Sequence, residues 1–173
     1  MNIPIVFEDD WLLVVNKPAG LLSVPTPKNE SRTLAGILNQ DARDRGLNYR
    51  LHPCHRLDRE TSGLLIFAKG KSVRDKLTLA FKDRLVHKKY TAFVHGKLSH
   101  RQGKITSPIE GKSALTQYRV IQEKSNYSVV EVSPVTGRTN QIRIHFKSIQ
   151  HPLVGEDKFI FRRDYALRFK RVC

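Results

Sequence analysis

Asp58 lies between Arg56 and Arg59 in the string PCHRLDRETSGLLIFAK, residues 53–69, with Thr61, Ser62 and Gly63 directly behind it. A carboxylate flanked by two guanidinium groups stays ionised even when part of it leaves water. An ionised aspartate facing a binding cleft can act as a nucleophile or as a base. Gly63 permits a backbone conformation or a close approach that a side chain would block. The same residues also describe a charged turn carrying an exposed ion pair, which is a common surface feature. Close by, His52, Cys54 and His55 have metal-binding chemistry, but a structural zinc site takes four ligands and the remaining cysteine is Cys173. No metal is therefore expected. Two cysteines make no disulfide scaffold and fit a reducing compartment.

The elements that must position Asp58 read as a mixture of strands and helices. Ile5–Phe7 and Trp11–Asn16 flank Glu8-Asp9-Asp10 and predict a hairpin. Lys17-Pro18-Ala19-Gly20 ends it with a turn. Residues 24–30 (VPTPKNE) carry two prolines and read as a surface loop, and Thr33–Leu38 as a short helix. Gly63–Lys69 is a strand apolar enough to be buried on both faces. Ser72-Val73-Arg74-Asp75 has the capping-box pattern. It predicts a helix to about Asp83, with Val73, Leu77, Ala80 and Phe81 on its apolar side. Val86–Val94, Ala114–Ile121 and Tyr127–Val132 read as strands. Thr139 is the expected cap of a second helix, with Ile142, Phe146 and Ile149 on its apolar side and His145 a buried, hydrogen-bonded histidine. Strands dominate without regular βα alternation, so the fold class is α+β with a mixed or largely antiparallel sheet. No repeat or linker divides the 173 residues, which read as a single domain, 1–173.

The chain carries 31 Lys plus Arg against 16 Asp plus Glu, a net charge of +15. That excess calls for an anionic partner, nucleic acid first, because each neutralised phosphate releases condensed counterions. The charge is uneven. Residues 1–30 carry Lys17 and Lys28 against Glu8, Asp9, Asp10 and Glu30, whereas residues 138–173 carry nine basic groups and three acidic ones. Lys69, Lys71, Arg74, Lys76, Lys82, Arg84, Lys88 and Lys89 form a basic series around the first long helix. An apolar content of 39% excludes a wholly disordered basic tail. The longest apolar runs, such as Leu64–Ala68, are strand-sized, which excludes a membrane helix. The N-terminus lacks the basic start and apolar block of a secretory signal, and a cytoplasmic location is expected.

Four blocks in order give these features a common reading. HRLDRETSGLLIFAK (residues 55–69) resembles the signature of the RluA-type pseudouridine synthases. Residues 88–96 (KKYTAFVHG) are similar to that family's Lys-x-Tyr-x-Ala-x-Val-x-Gly strand, and residues 135–145 (VTGRTNQIRIH) to its Gly-Arg-Thr helix start. His151–Gly155 continues the match, and Leu13–Gly20 resembles the opening hairpin. The resemblance spans residues 5 to about 159, and no N-terminal RNA-binding domain of the S4 type is expected.

The resemblance implies an enzyme that isomerises a uridine already in ribosomal or transfer RNA, without cofactor or metal. It breaks the C1′–N1 bond, turns the base and rejoins it through C5. Asp58 would be the essential carboxylate, acting by attack on C1′, by addition to the ring or by removal of a ribose proton. Tyr90 would stack on the flipped uracil, and Arg143 would pair with Asp58. Arg56 would fill the gap left by the flipped nucleotide, a step that itself costs a few kcal/mol. Arg138, Arg59, Thr61, Lys69, Lys88 and Lys89 are the further expected RNA contacts. RNA is the expected partner, with no membrane and a monomeric protein. Asn140 replaces the family's usual His, and Glu156-Asp157-Lys158-Phe159 replaces its usual Gly-Asp-x-x-Tyr-Gly. These departures, with the short basic C-terminus, motivate an alternative: a catalytically idle RNA-binding protein on the same fold.

Overall fold

The Asp9 carboxylate closes the first hairpin by accepting hydrogen bonds from the backbone N–H groups of Trp11 and Leu12, both at 2.8 Å. An aspartate that satisfies its own following backbone is the local reason for a turn here. The structure is a computed structural model describing residues 2–27 and 32–159. Cys173 and the basic tail lie outside the described residues, as do Lys28 and Glu30. The chain divides into two units, residues 1–86 and 87–173.

In the first unit, β1 (Ile5–Glu8), β2 (Leu12–Lys17), β3 (Leu51–Pro53) and β4 (Gly63–Lys69) form a sheet in the order β1-β2-β4-β3, with every ladder antiparallel. Leu13, Val15, Leu65 and Phe67 are buried in it. Helix α1 (Leu34–Asp44) is capped by Thr33, whose hydroxyl accepts from the Gly36 N–H, and buries Leu34, Leu38 and Ala42 at helical spacing. Asn39 ties it to β3 by exchanging two hydrogen bonds with the Leu51 backbone, each 2.9 Å. Helix α2 (Lys71–Lys82) presents Val73, Leu77, Ala80 and Phe81 as a half-buried side.

In the second unit, β5 (Tyr90–His95), β6 (Gln102–Ile105), β7 (Thr116–Glu123) and β8 (Tyr127–Pro134) pair antiparallel in the order β5-β8-β7-β6. Ala92, Val94, Val120, Val130 and Val132 build its core with Phe146 of α3 (Gln141–Ser148). Ile142 and Ile149 pack against that core, as the helical spacing predicts.

The α+β class therefore holds, realised as two four-stranded sheets with no parallel strand pair among the described residues. Other expectations need correction. Ser72 does not cap α2. The helix begins two residues earlier, at Lys71 behind Gly70, whose φ of 102° is open to glycine, and Asp75 pairs with Arg74. Thr139 does not cap α3; that position belongs to Asn140 in the left-handed conformation. The strand expected from Val86 begins at Tyr90. β4 is buried throughout the face carrying Leu65 and Phe67, but its other face grades from Leu64, 56% exposed, through half-buried Ile66 to buried Ala68.

Candidate active site

Asp58 occupies a loop between β3 and β4 that is fastened to the chain following β2. Strand alternation places Lys17 on the same buried face as Leu13 and Val15, and its side chain is wholly inaccessible. Its ammonium donates to the carbonyl oxygens of Pro18 (2.8 Å), Leu21 (2.6 Å) and Arg59 (3.0 Å). Burial lowers the Lys17 pKa, opposed by the charges of Glu60 and Asp58. The Arg59 carbonyl also accepts from the Gly20 N–H at 2.9 Å. Ser23 both donates to the Leu57 carbonyl (2.8 Å) and accepts from the Leu57 N–H (3.1 Å). Residues on both sides of Asp58 are thus tied to the 17–23 turn.

Leu57 is buried, Asp58 is half-buried and Arg56 is exposed, so the loop anchors on its leucine and displays its neighbours. The Asp58 carbonyl accepts from the Thr61 N–H at 3.1 Å, which tightens the turn. Gly63 then starts β4 at φ 131°, a conformation costly for a side chain, with open space around it. Its glycine is needed for conformation, not for close approach. Arg59 is exposed and lies near Glu60 at 4.0 Å. Lys69 is directed inward. Its ammonium meets Glu8 at 2.8 Å and lies over the Tyr49 ring, with 10% of the side chain exposed. Burial opposes its charge, but Glu8 and Tyr49 outweigh that and raise its pKa. His55 accepts from the Ile66 N–H at 3.2 Å and packs on Phe81.

In the second unit, Tyr90 opens β5 opposite Val132 and packs, half-buried, against the core cluster. Lys89 is exposed and 3.7 Å from Glu131. Lys88 is half-buried, which lowers its pKa. Its ammonium lies beside Gly137, where a Cβ would stand 3.7 Å away.

The loop between β8 and α3 is shaped by Gln141, whose amide is fully used. Its oxygen accepts from the Thr136 hydroxyl (2.7 Å) and the Arg138 N–H (2.9 Å). Its nitrogen donates to the Leu115 carbonyl (3.0 Å) and the Thr116 hydroxyl (2.9 Å). His145 extends this network, with Nε2 at 2.9 Å from the Ser107 carbonyl and Nδ1 at 2.9 Å from the Thr116 hydroxyl. A carbonyl only accepts, so Nε2 carries the proton. Burial lowers the His145 pKa and keeps the ring neutral, so Thr116 donates to Nδ1 while accepting from Gln141. The loop presents Arg138, whose Nε donates to the Ser113 carbonyl at 3.1 Å.

Arg143 projects from the first turn of α3 onto Glu156. Its Nε donates to Oε2 at 2.6 Å and its Nη2 to Oε1 at 2.7 Å, while Nη1 donates to Asn140 Oδ1 at 2.8 Å. Burial alone would raise the Glu156 carboxyl. Arg143 and the N–H groups of Lys158 and Phe159 outweigh it and hold the pKa at about 2. The Arg143 guanidinium thus meets one full carboxylate in a bidentate contact.

Lys17, Gln141 and Glu156 were not among the sequence-predicted site residues. Lys17 had a signal in the alternation of β2, and Gln141 in its i, i+4 spacing to His145. Glu156 had none, being 13 residues downstream of its partner. No group of side chains among the described residues could hold a metal ion, and no helix among them is long and apolar enough to cross a membrane.

Residues 11–148 match the family model described as RNA pseudouridylate synthase. An uncharacterized RNA pseudouridine synthase of Bacillus subtilis, YlyB, is 38% identical over 92% of this chain and 58% of its own length. The dual-specificity RNA pseudouridine synthase RluA of Vibrio cholerae is 35% identical over 91% of this chain and 68% of its own. The chain thus spans between about half and two-thirds of these relatives. The solved structure of human RNA pseudouridylate synthase domain containing 1 superposes with a TM-score of 0.80 at 27% identity, covering 98% of this chain and 74% of that one. On the match of most of its length to the family model, and on these relatives, the chain belongs to the RNA pseudouridylate synthase family.

Proposed function

We propose that this chain isomerises a uridine within ribosomal or transfer RNA to pseudouridine, with Asp58 as the catalytic carboxylate. The observation that carries the reading is the Asp58 loop itself. A half-buried carboxylate stands on a turn fastened through Leu57 and Arg59 to the buried Lys17 and Ser23, in a chain of this family. A fixed carboxylate is what a positioned nucleophile or base requires. The isomerisation exchanges the C1′–N1 bond for a C1′–C5 bond. The proton lost from C5 is balanced by one gained at N1, and no external reactant enters.

Tyr90 supplies the aromatic face for the unstacked base, an interaction worth about 1–3 kcal/mol. Arg143 supplies N–H donors to the same reaction. Among the expected phosphate contacts Lys88 is the best supported, because a half-buried ammonium with no carboxylate beside it among the described residues gains most from an anion. Arg56, Arg59, Thr61 and Arg138 contribute from exposed or half-buried positions. Lys89 and Lys69 already meet carboxylates, and Lys69 serves first as an internal tie.

The test is expression in cells lacking their own family members, followed by mapping of pseudouridine across all RNA. Wild type is expected to add at least one site that Asp58→Ala does not, with the single-turnover rate falling at least about 10³-fold, or about 4 kcal/mol. RNA binding should stay within a few-fold. A folded wild type that adds no site, and that binds RNA as Asp58→Ala does, establishes the idle RNA binder instead.

A further inference from the structure

We propose that Glu156 is a positioning residue that fixes the direction in which Arg143 presents its N–H donors; the proposal rests on the assignment of Arg143 to the catalytic set. The carboxylate occupies the whole Nε–Nη2 edge of the guanidinium, with contacts of 2.6 and 2.7 Å. A guanidinium is planar and rigid, so fixing one edge fixes the direction of every remaining N–H. Asn140 takes one further N–H from Nη1 at 2.8 Å.

Glu156 is itself immobilised. Its Oε1 accepts from the N–H groups of Lys158 (2.9 Å) and Phe159 (3.1 Å), and only 3% of its side chain is exposed. The Phe159 ring lies 4.9 Å from the guanidinium carbon and covers it. The segment arrives at this place because the Pro152 carbonyl accepts from the His95 N–H and the Val154 N–H donates to the Phe93 carbonyl, joining residues 152–154 to β5. Tyr90 opens that same strand.

Charge separates this role from simple phosphate binding. An arginine kept to attract an RNA backbone gains nothing from a buried carboxylate at contact distance, because the carboxylate cancels the field that attracts phosphate. The same carboxylate is what an arginine needs if direction matters more than charge.

The experiment compares the full chain with Glu156→Gln, Glu156→Asp, Arg143→Ala and the double variant Arg143→Ala/Glu156→Gln. Glutamine keeps an acceptor for the Lys158 and Phe159 N–H groups, so the fold is retained, and Glu156→Asp keeps the charge as a second probe. The first readout is hydrogen exchange of the Arg143 Nε–H, observed by NMR without any turnover. It is expected to be protected in wild type and to accelerate at least about 10-fold in Glu156→Gln. The second readout is pseudouridine formation on bulk uridine-labelled RNA. Glu156→Gln should lower kcat about 30- to 100-fold with KM within about threefold, and Glu156→Asp should recover most of that loss. Glu156→Gln should cost nothing further in the Arg143→Ala background. An Nε–H that stays protected in Glu156→Gln, a loss confined to KM, or an equal loss without Arg143 would overturn the proposal. Absence of pseudouridine with wild type would instead overturn the proposed function, while the Nε–H comparison still decides the positioning.

Discussion

Two segments of this chain are immobilised by opposite charges. The Asp58 loop is fastened around a buried cation, Lys17, whose partners are neutral carbonyl oxygens. The segment from Thr136 to Arg143 is fastened around a neutral amide, Gln141, and a buried anion, Glu156, whose main partner is a full cation. The pKa shifts record the difference. The charges of Glu60 and Asp58 do not recover the whole desolvation cost of Lys17, and its pKa stays below 10.5. Arg143 and two backbone N–H groups more than recover that of Glu156, which falls from 4.5 to about 2. A backbone cage therefore sets position without demanding a particular charge partner, whereas an ion pair sets position and direction together.

The largest effect expected is at the cation. Lys17→Met removes the shared donor of three carbonyls. The Arg59 carbonyl keeps the Gly20 N–H, but the buried Leu21 carbonyl loses the contact at 2.6 Å. We expect a loss of about 3 kcal/mol, since each buried carbonyl left unsatisfied costs about 1–3 kcal/mol. In native-state hydrogen exchange the loss should appear at the amides of Gly20, Leu57 and Thr61, and hardly at those of residues 138–145. Equal acceleration in both regions would show that the two anchors are not independent.

Acid should separate the regions in the other direction. Glu156 has a folded pKa of about 2, below the ordinary 4.5, so the stability it contributes is complete above about 4.5 and is lost as the pH falls through about 2. That difference corresponds to about 3 kcal/mol. His145, whose pKa is lowered by burial, begins a further decline in the same unit as the pH drops below 6.5. Lys17 stays protonated throughout. Corrected exchange rates measured from pH 5 to pH 2 should therefore rise around residues 141–159 before they rise around residues 17–23. Glu156→Gln should abolish the part of this rise below pH 4.5. An unchanged acid response in that variant would place the loss elsewhere.

The contrast also explains what was legible from the chain. β4 and the two apolar helix sides follow from local composition and spacing, whereas Asp58 is distinguished from a charged surface turn only by the resemblance of residues 55–69 to the RluA-type signature. β6 was missed because Gln102-Gly103-Lys104-Ile105 holds a single strong strand former, and only pairing with β7 makes it a strand. β3 was missed because three residues ending in Pro53 read as loop. Ser72 and Thr139 do not cap because the helix boundaries fall instead at Gly70 and Asn140, each at positive φ and without a side-chain cap hydrogen bond. Lys17 and Gln141 carried a signal of periodicity that their polarity obscured. Glu156 carried none, since a partner brought in by chain return leaves no local pattern.

The smallest effect expected is at Asn140, and it tests whether the two contacts on Arg143 differ in weight. Asn140 combines a left-handed backbone, φ 53°, with one hydrogen bond to Arg143 Nη1. Asn140→Ala loses both features, whereas Asn140→Gly loses only the bond. The alanine variant should be less stable than the glycine variant by about 1 kcal/mol, the cost of a Cβ in that conformation. Both should lower kcat equally and by only about three- to fivefold, because the bidentate contact with Glu156 still fixes the plane of the guanidinium. If Asn140→Gly instead costs as much kcat as Glu156→Gln, direction is set at Nη1, and the buried carboxylate is a structural anchor like Lys17.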